Sequence, residues 1–136
     1  MPALDLPFFG SLMLGAMLVV AAYTFSVSLV AGRAVAGGPM SRNRVQLLSA
    51  ARHGVYATWA VTAVAVFALA YAFQAHDFRI RYVMRYSDRS MPWYYLWASL
   101  WGGQDGSLLW WSFLLTTYSA ICARSLKHRI PELAPY

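Results

Sequence analysis

Few side chains in this chain could do chemistry, and their spacing excludes most kinds of it. The histidines are His53, His76 and His128, and the one cysteine is Cys122. No two histidines stand at a helical metal-ligand spacing such as i, i+4, and a lone cysteine makes neither an internal disulfide nor a CxxC pair. His53 and His128 sit beside basic residues, where cations suit a helix end. His76 is the one candidate for haem or metal ligation, because it ends a long apolar run; the plainer reading is a surface cap, since a single histidine fixes no geometry. There is no nucleophile–base pair, no carboxylate pair and no G-x-x-x-x-G-K-[ST] phosphate loop. What remains is Gln104-Asp105, set between Gly102-Gly103 and Gly106-Ser107. Two readings of it stand: a capping turn, with Asp105 as the cap at a helix start, or a contact surface for a ligand or partner.

The second reading draws on what flanks the turn. The stretch from Ser90 to Trp111 holds five of the six tryptophans: Trp93, Trp97, Trp101, Trp110 and Trp111. So much aromatic surface around a polar turn points to use as a contact face. Trp97, Trp101, Gln104, Asp105 and Trp110 are the residues expected to form it.

The elements that position this face are apolar helices. Charged residues make up 12% of the chain, about half the share in a soluble domain. None lies between Asp5 and Arg33, between Arg52 and Asp77, or between Asp105 and Arg124. Gaps of that length read as membrane spans, because ~20 helical residues cross the hydrocarbon layer. The expected spans are about 8–31, 52–75 and 106–123, with an aromatic outer loop over 76–105, all in one transmembrane region covering 1–136. Ala34-Val35-Ala36 imitates a signal-peptide cleavage site, but no Lys or Arg precedes the first apolar run, and that run is too long for a signal core. In the first loop Gly37-Gly38-Pro39 breaks the helix and Ser41 is placed to cap a new one from about Arg42. In the second span Ala68 and Ala72 stand four apart; they either let another helix approach closely or reflect simple abundance of alanine.

The formal net charge is +6, and its distribution suits a membrane protein better than a nucleic-acid binder. Arg33, Arg42, Arg44, Arg52, Arg124, Lys127 and Arg129 fall on one side of the three spans; Arg79, Arg81, Arg85 and Arg89 fall on the other. The positive-inside rule then puts the N-terminus, with Asp5, outside and the C-terminus inside. On the outer side, Asp77–Met84 alternates polar and apolar residues, which predicts a short extended segment. Trp93, Trp97 and Trp101 share one helical face, which predicts an interfacial helix over 93–101 starting behind Pro92 and ended by Gly102 and Gly103. The fold class expected is an all-α membrane protein: three transmembrane helices, an interfacial aromatic helix and a short extended segment.

These outer residues carry a resemblance. Asp77-Phe-x-x-x-Tyr-Val83, then Pro92-x-Tyr-Tyr-Leu-x-Ala98, then Trp101-Gly-Gly-Gln-Asp-Gly-Ser-Leu-Leu-Trp110 resemble the N-terminal region of the CcmF/NrfE family, the haem lyase component of cytochrome c maturation. Asp105 stands where family members more usually carry Glu, and Gln104 where some have His. The resemblance covers essentially the whole chain but only about the first fifth of a family member. It implies an N-terminal part or subunit of a haem lyase that attaches haem to apocytochrome c at the periplasmic face. It also implies a multi-pass protein of the bacterial inner membrane, with a periplasmic N-terminus and aromatic loop and a cytoplasmic C-terminus. The partners implied are the remaining helices or subunits, a haem chaperone, apocytochrome c with its thiol-handling partner, and the lipid bilayer. Haem b belongs to the complete family protein; its histidines and the tryptophan-rich haem-handling segment lie further along, and none maps onto His53, His76 or His128. This chain alone is expected to be non-catalytic.

Two further readings remain open on the sequence. One is a small structural or assembly subunit of a respiratory or transport complex without haem chemistry. The other is a lone haem carrier, for which His76 is the one placed ligand.

Overall fold

The computed structural model describes residues 6–36 and 42–129. Asp5, the Gly37-Gly38-Pro39 breaker, the Ser41 cap and the tail from Pro131 to Tyr136 lie outside the described residues. Five helices follow one another: α1 (Leu6–Ala36), α2 (Arg42–Gln74), α3 (Arg81–Tyr86), α4 (Trp93–Ser99) and α5 (Gln104–Arg129).

Two of them, over Phe8–Arg33 and Val45–Gln74, are long and apolar enough to cross a membrane. Helix α1 runs past both expected span ends, and α2 runs past its span only at the N-terminal end. Helix α2 starts at Arg42, where the sequence predicts a new helix, and carries Arg42 and Arg52 ahead of or at the start of its expected span. Arginine is a good helix former, and the edge of an apolar stretch does not end a helix by itself. The expected third span lies within α5, a single helix of 26 residues. At 1.5 Å per residue it is about 39 Å long, more than the ~30 Å hydrocarbon layer. Its serines and threonines lower its hydropathy, yet their protons are returned to the helix: Ser112, Thr116, Thr117 and Ser119 each donate to the carbonyl four residues back, at 2.7–2.8 Å.

Helix α2 is the centre of the bundle, with α1, α5 and α4 all packed on it. Small residues make this possible. Gly54 is buried against Thr24, where a Cβ would stand 2.6 Å from the Thr24 Oγ1. Ala51, Ala63, Ala65, Ala70 and Ala72 are buried along α2. Of the alanine pair singled out in the sequence, Ala72 is fully buried and Ala68 half-buried. Much of α1 and α5 presents large apolar side chains outward, among them Leu18, Phe25, Leu115 and Tyr118. A lipid-facing surface has this composition, whereas a soluble monomer rarely exposes so much.

Over the C-terminal end of α2 sits a second core. Phe73, Val83, Leu96 and Leu100 are buried there with Ala70 and Ala72, and Tyr82, Tyr86, Phe78, Ile80 and Met91 pack against them. The Phe73 and Tyr82 rings meet edge-on with centroids 5.7 Å apart. This cap corrects the extended segment expected over Asp77–Met84. No strand occurs among the described residues, and Arg81–Tyr86 is helix α3. A lone strand has no ladder to satisfy its backbone; here the bonds are local, with Met84 N–H to Ile80 O and Ser87 N–H to Val83 O, both 3.0 Å. Ile80, the residue before α3, keeps extended backbone. The helical turn also does what alternation could not: it puts Tyr82, Val83 and Tyr86 together against the cap core.

Candidate functional site

The aromatic turn is built from the end of α4 to the start of α5. Pro92 precedes α4 with φ −58°, a value its ring imposes. Leu96 and Ser99 are buried beneath the helix, and Trp93, Trp97 and Trp101 stay exposed, as one helical face requires. The α-helix is two residues shorter than expected. Leu100, Trp101 and Gly102 close it with bonds to the carbonyls three residues back, at 3.2–3.3 Å, the tightened last turn common at helix ends.

Helix α5 then starts earlier than expected, at Gln104. The Gly103 carbonyl accepts the Ser107 N–H at 3.0 Å, and the Ser107 hydroxyl donates to the Trp101 carbonyl at 2.8 Å. Asp105 therefore lies inside the first turn rather than at the cap position. There its carboxylate faces the positive end of the helix dipole. Gln104 and Asp105 are exposed, while Gly103 and Gly106 are buried.

Those two glycines are where α3 grips the turn. Tyr82 Oη accepts the Gly103 N–H at 3.0 Å and shares its proton between the Ser99 and Leu100 carbonyls, each at 3.4 Å. A Cβ on Gly103 would come 2.5 Å from the Tyr86 ring, and one on Gly106 would collide with the Leu100 carbonyl and the Tyr82 hydroxyl. The Tyr82 and Tyr86 rings lie 4.8 Å apart.

The structure brings part of the expected contact face together. Trp101 and Trp110 stack with ring centroids 5.6 Å apart at 38°, and Trp110 continues to Phe113 at 5.9 Å. Trp97 projects from α4 and makes no ring contact among the described residues. Asp105, with Gly106 and Leu109, lines an apolar cleft of about 270 Å³ whose other walls include Met13, Leu14, Ala65 and Tyr82. That volume falls below the ~300–1,000 Å³ of small-molecule sites, and no histidine lines the cleft.

His76 stands apart from that face. It holds left-handed backbone with φ 50° just beyond α2. Its Nδ1 is 3.2 Å from the Gln74 carbonyl; its Nε2 is buried with no hydrogen-bond partner. No group of three His, Cys, Asp or Glu able to hold a metal occurs among the described residues. Nearby, Arg79 grips both Asp77 carboxylate oxygens, Nε to Oδ1 at 2.9 Å and a terminal guanidinium nitrogen to Oδ2 at 2.8 Å. This bond holds the Asp77 carboxyl below its ordinary value. His53 Nδ1 lies 2.7 Å from the Ser49 carbonyl on α2, and Cys122 is a half-buried free thiol.

Reading by residue type missed Tyr82, Tyr86 and Trp59. Tyr82 stood in the Asp-Phe-x-x-x-Tyr-Val string, so its signal was there. Trp59 lies outside the aromatic stretch; its Nε1 donates to Thr117 Oγ1 at 3.0 Å and ties α2 to α5.

The architecture is therefore an all-helical protein with membrane-length apolar helices and an aromatic cap over one end. Comparison with known proteins gives it relatives. The chain is 33% identical over 115 residues to the cytochrome c-type biogenesis protein CcmF of Haemophilus influenzae, which covers 82% of this chain and 18% of that protein. It is 34% identical over 102 residues to CcmF of Pseudomonas fluorescens, 75% of this chain and 15% of that one. It is 35% identical over 82 residues to the probable cytochrome c-type biogenesis protein NrfE of Escherichia coli, 60% of this chain and 15% of that one. The chain resembles the N-terminal region of the CcmF/NrfE family, and it spans less than a fifth of the length of these relatives. No family model and no solved structure matches it.

Proposed function

We propose that this chain is the N-terminal part, or a separate subunit, of a CcmF-like haem lyase, and serves cytochrome c biogenesis by helping to attach haem to apocytochrome c. The observation that carries the reading is the similarity to CcmF across 82% of the chain. On this reading α1, α2 and α5 all cross the inner membrane, with spans near 8–31, 52–75 and 106–123. The cap over 76–105 lies on the periplasmic side, the N-terminus outside and the C-terminus inside. The arginine distribution supports that orientation.

Trp97, Trp101, Gln104, Asp105 and Trp110 form a periplasmic contact face for the protein partners of the reaction, which include the haem chaperone and apocytochrome c with its thiol-handling partner. The face is a surface for positioning, since it presents aromatic area and one carboxylate. Haem b of the complete assembly is held elsewhere, by residues beyond this chain; no step of the chemistry runs through residues described above.

The test is purification from the native membrane through a tag on this chain, with an absorption spectrum of what accompanies it. A larger membrane protein carrying haem b, or a longer polypeptide containing this chain, is the expected result. Recovery of the chain alone, intact and without haem, overturns the reading and favours an assembly subunit without haem chemistry.

A further inference from the structure

Midway down the bundle, α1, α2 and α5 enclose a groove of about 240 Å³ whose walls include Thr24, Phe25, Thr58, Thr116 and Ser119. Its polar groups are four hydroxyls from three helices. Each has an acceptor for its proton inside the bundle, along its own helix or, for the Thr24–Thr58 pair, in one another. Thr24 donates to the Val20 carbonyl at 2.7 Å, Thr58 to Gly54 at 2.9 Å, Thr116 to Ser112 at 2.8 Å and Ser119 to Leu115 at 2.8 Å. A hydroxyl has one proton and two lone pairs. The groove therefore offers acceptors and no free donor.

The same seam shows how such an acceptor is satisfied. Thr117 Oγ1 donates to the Phe113 carbonyl at 2.7 Å and accepts the Trp59 Nε1 proton at 3.0 Å. Thr58 neighbours Trp59, and Thr116 neighbours Thr117. One flank of the α2–α5 contact thus holds an N–H donor on a back-bonded threonine. The other flank holds four hydroxyl oxygens; Thr24 and Thr58 are hydrogen-bonded to each other at 3.2 Å, and Thr116 and Ser119 keep acceptor lone pairs toward the groove.

We infer that this groove seats a further transmembrane helix carrying a neutral N–H side chain, of tryptophan or carboxamide type, directed at these oxygens. The inference rests on the chain being part of a larger membrane assembly. Relatives whose matched part is 18% and 15% of their length have ample chain to supply the helix. An acyl chain has no donor to offer, and a charged donor is costly at this depth.

Phe25 lines the groove and is 69% exposed, so Phe25→p-benzoylphenylalanine places a photoreactive ring there with little change in shape. The natural-length protein is irradiated in its own membrane, and cross-linked peptides are identified by mass spectrometry. Cross-links to peptides outside residues 1–136 are expected, with a yield that falls several-fold when Thr116→Val and Ser119→Ala are combined. Cross-links only to lipid, or only to peptides within 1–136 from a second copy, overturn the inference. So does an unchanged yield in the double variant, since the hydroxyls would then play no part. If haem b still accompanies the tagged chain while Phe25 reaches only lipid, the inference fails and the haem lyase reading stands.

Discussion

Tyr82 holds Gly103: its hydroxyl accepts the Gly103 N–H at 3.0 Å, across 21 residues of chain. This bond ties α3 to the aromatic turn and sets the start of α5. Gly103 is buried, so removing the acceptor strands its N–H, at a cost of ~1–3 kcal/mol. Tyr82→Phe is expected to lower stability by that order, measured as thermal unfolding in mild detergent.

The glycines of the turn separate by what their missing Cβ would meet. At Gly106 the obstacle includes the Leu100 backbone carbonyl; at Gly103 it is the Tyr86 ring; at Gly10 and Gly15 nothing lies within 4 Å. Backbone yields less readily than a side chain. Gly106→Ala is therefore expected to destabilise more than Gly103→Ala, by upwards of ~1–3 kcal/mol, while Gly10→Ala and Gly15→Ala stay near neutral or better. Thermal unfolding of the four variants checks the order.

The long helices could be read from the charge gaps, because a membrane requires an uncharged stretch of nearly fixed length. Helix α4 could be read from Trp93, Trp97 and Trp101 at one spacing. Helix α3 could not. Phe78, Ile80, Tyr82 and Met84 alternate like a strand, and only the tertiary partners Phe73 and Gly103 explain why the chain turns helical at Arg81. The aromatic turn was half legible for a similar reason. Trp101, just before the glycines, and Trp110, one turn of α5 beyond Gly106, stack, but nothing local announced that Tyr82 and Tyr86 hold the turn in place.

Asp77 gives the cap a pH dependence. Arg79 lowers the Asp77 pKa in the folded state, so the bond's contribution is fully present above the ordinary Asp value of ~3.9 and is lost as pH falls through the lowered folded value. Arg79 is half exposed, which keeps the contribution to ~0–1 kcal/mol. Asp77→Asn should remove this component, so the gap in unfolding temperature between wild type and variant should hold from pH 7 to about 4 and close as pH falls further. A gap that stays constant below about pH 4, down through acid unfolding, would show that Asp77 is not responsible.

His76 combines left-handed backbone with a buried, unpartnered Nε2. Asparagine tolerates that backbone better than most residues, and the substitution removes the enclosed imidazole nitrogen. His76→Asn is expected to leave stability unchanged or raised by up to ~1 kcal/mol, with the haem content of the purified assembly unaltered. Loss of haem from that variant would make His76 a ligand after all.

The most direct test of the central claim is covalent haem on c-type cytochromes in cells whose copy of this protein carries Gln104→Ala with Asp105→Ala. Both side chains are exposed, so the protein should accumulate in the membrane at its usual level. If the aromatic turn is a contact face for cytochrome c maturation, haem staining of the cytochromes falls severalfold at that unchanged level. Undiminished staining would contradict the account and leave the turn as a helix start alone.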